Sequence, residues 1–90
     1  MQEEVTHTLK IKFKRAIIRI QNLSSRPSNK YLLDLYALFK QANEGDCIGR
    51  GNGSLRQRAK FKAWNSLIGM SKFDAMKNYC NLVDHLIILD

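Results

Sequence analysis

A chain of 90 residues with a single proline and 44% apolar side chains is enough for one domain, 1–90, and too short for two. Cys47 and Cys80 are too few for a disulfide framework and form no C-x-x-C pair, so they read as free thiols of a reducing compartment. A net charge of +7 points to an anionic partner: nucleic acid, an acidic membrane surface or a phosphorylated metabolite.

The first ten residues are polar and carry Glu3 and Glu4, so they lack the apolar stretch of a secretory signal. No run of about 18 apolar residues offers a membrane span, and the expected address is the cytosol. Leu9, Phe13, Ala16, Ile17, Ile20 and Leu23 then recur at three- and four-residue steps, which predicts a first helix with one apolar stripe. Arg15 and Arg19 fall off that stripe. Ser24 to Ser28, with Pro27 inside, ends the helix because proline disfavours helical geometry in the residue before it.

A second helix is predicted from Asn29, its expected cap, with Ser28 as the alternative; Leu32, Leu35, Tyr36, Leu38, Phe39 and Ala42 give its buried side. Gly45 suits the left-handed position past a helix end. After an aperiodic loop from Asp46 to Ser54, a third helix runs from about Leu55 to Leu67, with Ala59, Ala63, Trp64 and Leu67 as core and Gly69 as its close. The fourth has the clearest start: Ser71 with Asp74 three residues on fits a reciprocal serine–acid cap. Ala75, Met76, Tyr79, Cys80, Val83, Leu86 and Ile87 continue the helical spacing, so the chain is predicted to be all-α.

Catalytic machinery is not apparent. Cys80 and His85 would point about 140° apart on one helix, a poor nucleophile–base pair. His7 and His85 have no ligand-spaced partners, so neither a metal nor a cofactor is expected. The Gly49-x-Gly51-x-Gly53 run follows a helix rather than a strand and is followed by no lysine–serine or lysine–threonine pair; it reads as a flexible connector. On the second helix, Tyr36, Phe39 and Lys40 lie within about 100° of one another, where a phenol, an aromatic plane and an ammonium can address a phosphorylated purine. Periodicity alone favours two core aromatics and a solvated lysine.

The stretch Tyr36-Ala37-Leu38-Phe39-Lys40-Gln41-Ala42-Asn43-Glu44-Gly45-Asp46 resembles the Y-x-x-[YF]-K-Q-A-x-x-G-D signature of the acyl-CoA-binding protein family. Ala59-Lys60-Phe61-Lys62-Ala63-Trp64-Asn65 resembles its A-K-[WF]-x-A-W motif, and Gly69 to Tyr79 resembles its G-x-S-K-x-x-A-M-x-x-Y. Phe13 to Leu23 and Pro27 match the first helix and proline turn more loosely, so the likeness spans about 13–86.

The resemblance implies an up-down-down-up bundle of four helices that carries medium- to long-chain fatty acyl-CoA without turning it over. It implies that Tyr36, Lys40 and Lys60 bind the 3′-phosphate, that Phe39 lies against the adenine, and that Tyr79 contacts the nucleotide. It also counts Ala37 and Leu38 of the same segment among the ligand-binding residues, with Ile17 and Gln21 from the first helix. The departures from the family pattern are specific. Phe39 stands where tyrosine is common, Ile17 where alanine is common, and Gln21 where many members carry a basic residue, with Arg19 as a partial substitute. The Cys47–Leu55 loop is shorter and richer in glycine, and the end, Leu86 to Asp90, is unusually apolar: it either packs on the bundle or meets a protein or membrane. A monomer is expected, with transient contacts to membranes or acyl-CoA-using enzymes left open.

The alternative from another class is a basic helical nucleic-acid-binding module, supported by the charge and by the Lys10–Arg19 and Arg50–Lys62 clusters. A DNA reader concentrates such charge on one recognition helix. An acyl-transfer or isomerase role would need a second domain, or acylation of Cys80 beside Tyr79, and a buried helical cysteine is usually inert.

Overall fold

The computed structural model describes residues 5–90; the first four, including Glu3 and Glu4 of the polar N-terminal stretch, lie outside the described residues. The chain forms α1 (His7–Arg19), which tightens into a 3-10 turn (Ile20–Asn22), then α2 (Asn29–Glu44), α3 (Leu55–Asn65) and α4 (Lys72–Leu89), with no strand among the described residues.

Each helix begins on a hydroxyl. Thr6, Ser28, Ser54 and Ser71 accept from the backbone N–H of Leu9, Tyr31, Gln57 and Asp74, and so satisfy donors that helix geometry leaves orphaned. Ser28, rather than Asn29, is therefore the cap of α2. The reciprocal cap forms at Ser54, whose N–H donates to Gln57 Oε1 at 3.0 Å. At Ser71 the serine's half forms; the Asp74 side chain is one carbon shorter than the Glu or Gln that reaches back. Gly45 ends α2 at φ 81°, where its N–H still reaches the Gln41 carbonyl. Past Asn65 the chain turns through Ser66–Gly69, so α3 stops two residues short of the expected Leu67.

Side-chain pairs fix the directions. The start of α4 meets the end of α2 through Met70 and Gln41, while Tyr31 meets His85 at the other end, so these helices are antiparallel. Arg19 reaches Asp84 and Ser24 reaches Asp90, so α1 and α4 run parallel. Tyr36 with Lys60 and Gln41 with Trp64 make α2 and α3 parallel. The bundle is up-down-down-up. Its helices pack in the order α1, α4, α2, α3, with Cα extents of 39 × 34 × 15 Å.

The core lies where α4 crosses α1 and α2. Val83 and Ala75 are fully enclosed, with Phe13, Leu35, Met76 and Leu86 around them. Ala16, Ala42 and Ala75, all 2% exposed or less, let the helix backbones approach closely. Of the other helices α3 approaches only α2, which explains why Ala59, Ala63, Trp64 and Leu67 are half-buried rather than core. Leu86 packs inside and Ile87 half-packs, but Ile88 and Leu89 stay exposed, so the apolar end only partly joins the bundle.

Candidate functional site

Between the first halves of α2 and α3 lies a cleft of about 450 Å³. Leu32, Leu33, Leu55 and Ala59 give it apolar walls; Arg26, Arg56 and Lys60 bring three cations to it, and Tyr36 closes one side. Sequence reasoning had found Tyr36 and Lys60 but not Arg26, Arg56 or the leucines. Arg56 and Lys60 sit one turn apart on one helix face, a spacing that could have paired them.

Where the cleft ends, two cation–aromatic contacts tie α2 to α3. Lys60 Nζ stands 5.0 Å from the centre of the Tyr36 ring, and Lys40 Nζ stands 4.9 Å from that of Trp64. Tyr36 and Lys40 are one turn apart on α2, as Lys60 and Trp64 are on α3, so each helix gives one ring and one ammonium. The two contacts follow one another along the α2–α3 seam, Lys60 on Tyr36 and Lys40 on Trp64. Lys40 also pairs with Glu44, whose carboxylate holds its ammonium above the usual lysine range against the opposing effect of desolvation.

Phe39 was expected on the buried side of α2 but is 39% exposed, leaning on Phe13 of α1 with centroids 6.1 Å apart. Ile17 on α1 and Gln21 in the 3-10 turn follow Phe13 at four-residue steps in sequence, the first half-buried and the second exposed. Arg19, expected to stand in partly for the missing basic residue at Gln21, bonds Asp84 on α4 at 3.0 Å. Tyr79 lies inside, 5% exposed and edge-on to Phe13 at 5.1 Å; burial, and secondarily Cys80, push its phenol up. Ala37 and Leu38, at 2% and 9%, also turn inward and support the helix behind Tyr36 rather than offering a face beside it.

Cys80 lines a separate groove between α1 and α4 with Lys12 and Lys77, where burial pushes its thiol up. Among the described residues no cluster of histidine, cysteine and acids is arranged to hold a metal, and no helix is long and apolar enough to cross a membrane.

The chain matches the family model described as Acyl CoA binding protein over residues 10–83. It belongs to the acyl-CoA-binding protein family. It is 45% identical over 83 residues to the acyl-CoA-binding protein homolog of Manduca sexta, covering 89% of this chain and 92% of the relative. It is 44% identical to the acyl-CoA-binding protein of Saccharomyces cerevisiae, covering 76% and 80% of the two chains. The crystal structure of Oryza sativa acyl-CoA-binding protein 2 superposes with a TM-score of 0.83 at 33% identity, covering 89% of this chain and 91% of that one. The solution structure of the yeast protein does so at 0.64 with 39% identity, covering 91% and 93%. The all-α bundle is thus the family's fold.

Proposed function

We propose that this chain binds medium- to long-chain fatty acyl-CoA esters and carries them inside the cell without chemical turnover, one ligand to one domain. The observation that carries the reading is the pairing of Lys60 over Tyr36, with Lys40 one turn along α2, beside an apolar cleft. A phosphate dianion loses its water only where charged donors replace it. Two ammonium groups and a phenol supply them, each charge-assisted bond contributing about 1.5–3 kcal/mol. Phe39, half-exposed and leaning on Phe13, offers the flat apolar surface on which an adenine would rest. Tyr79 supports that surface from behind through Phe13.

The cleft volume falls within the roughly 300–1,000 Å³ of small-molecule sites, and each methylene it shields from water adds about 0.8 kcal/mol. A long-chain ester therefore binds far more tightly than CoA alone, and that difference is what a carrier needs. The shared family and the relatives named for acyl-CoA binding support the same reading.

Titration calorimetry with palmitoyl-CoA, CoA and palmitate tests it. One-to-one binding of palmitoyl-CoA, weak binding of the other two and a large loss in Lys40→Ala and Lys60→Ala are expected. Equal affinity for CoA and palmitoyl-CoA would exclude a working acyl cleft, and no binding at all would overturn the reading.

A further inference from the structure

Charge is unevenly spread over the bundle. α1 carries Lys10, Lys12, Lys14, Arg15 and Arg19 without one acid between His7 and Arg19. Arg19 is held by Asp84, while among the described residues the other four make no ion pair. The helix buries Phe13 and Ala16 on one side, so the opposite side faces solvent. At the centre of that outer face stand Ile11 and Ile18, 37% and 62% exposed and two turns apart. Lys10 and Lys14 flank this apolar line on one side and Arg15 on the other. The bonds from Ser24 to the Asp90 carboxylate bring the exposed Ile88 and Leu89 to the end of the molecule that Ile18 occupies.

We propose that this outer face of α1 docks the protein on anionic lipid bilayers, with Lys10, Lys14 and Arg15 against the headgroups and Ile11 and Ile18 at the headgroup–acyl boundary. The charge is complementary to an acidic leaflet, and two separated isoleucines gain area only from an apolar layer beneath that charge. Nucleic acid offers no such layer, and Ile11 and Ile18 present no donor or acceptor to base edges, His7 standing one turn before them at the helix start. α3 makes the contrast: it is equally free of acids, but its solvent side is centred on Arg58, Lys62 and Asn65. The α1 face shares no residue with the ligand site proposed above, so docking and acyl-CoA binding can fail separately.

The test is co-sedimentation of the full chain with vesicles of phosphatidylcholine containing phosphatidylserine, and with phosphatidylcholine alone. Binding to the acidic vesicles only, falling steeply with salt, is expected. Lys14→Gln with Arg15→Gln should weaken it about 25-fold, at about fivefold per cation. Ile11→Ser with Ile18→Ser should weaken it without changing its salt dependence. Arg58→Gln with Lys62→Gln, the same charge change on α3, should leave it in place. All three variants should keep the helical circular-dichroism spectrum and the palmitoyl-CoA affinity of the parent, since none touches the core or the cleft. Absence of binding to acidic vesicles overturns the proposal. So does an equal loss in the α3 variant, which would make net charge the cause. Binding to an RNA oligonucleotide that matches vesicle binding and ignores the isoleucine changes would overturn it too.

Discussion

The indole Nε1–H of Trp64 donates to the side-chain oxygen of Gln41 at 3.1 Å and to the Gly45 carbonyl at 2.9 Å. Gln41 is wholly buried, and its amide donates in turn to Asp46 and to the Met70 carbonyl, at 2.8 and 2.9 Å. One glutamine thus ties the end of α2, the loop after it, α3 and the entry to α4. The signature residues Gln41, Gly45, Asp46 and Trp64 build this knot, Lys40 lies over its indole, and Tyr36 and Lys60 line the cleft.

Gln41→Leu should therefore destabilise the fold by about 2–3 kcal/mol, because it strips partners from the Met70 carbonyl, the Asp46 carboxylate and one side of the indole hydrogen bond. Urea unfolding at neutral pH measures this. An unchanged midpoint would show that water replaces the glutamine without loss.

Acid should loosen the same knot. The Gly69 amide, and secondarily the Gln41 amide, hold the Asp46 carboxyl below the usual carboxylate range, and the Ser24 amide and hydroxyl do the same for Asp90. A folded pKa below the unfolded one means that the unfolded chain binds more protons in between, so stability rises with pH there. The contribution is fully present above the ordinary carboxylate value of about 3.9 and is lost as pH falls through the depressed folded values. Thermal melts of Asp46→Asn and Asp90→Asn should each show a flatter acid limb than the parent. Identical limbs would falsify this assignment.

The four helices were legible because their apolar residues keep a three- and four-residue rhythm, and the fourth also because its start carries the Ser71 hydroxyl. What escaped has physical reasons. Gln41 is buried although polar, because its partners arrive from Trp64 and Met70, far along the chain. α3 packs on one neighbour only, so its apolar residues stop half-way in. Arg19 turned out to be committed to α4, and Arg26 and Arg56 meet at the cleft only through the fold. Periodicity cannot see such pairings. The motifs gave the family; the cationic rim of the cleft needed the geometry.

Cys80 should be a poor nucleophile. Burial first, then Asp84, push its thiol up against the smaller opposing pull of Lys12 and Arg19, so little thiolate exists at neutral pH. Its groove also lies between α1 and α4, apart from the cleft that Tyr36 and Lys60 line. Alkylation by iodoacetamide should be at least about tenfold slower in the folded chain than in urea. Intact mass should not rise on incubation with palmitoyl-CoA. A gain equal to one palmitoyl group at Cys80 would contradict both statements.

Glu44 should restrain the ligand's anionic end. Its carboxylate occupies the Lys40 ammonium, which an incoming phosphate must take over, and it leaves a negative charge beside the new one. Both partners are partly solvated, so the competition is modest, on the order of 0.2–1 kcal/mol. Glu44→Gln should then raise palmitoyl-CoA affinity about 1.4- to 5-fold, with the gain shrinking as salt is added. The decisive comparison is the same substitution in a Lys40→Ala background, where no lysine remains to be released and the gain should vanish. A gain that persists there would mean that Glu44 acts through the general field of the site and not through Lys40.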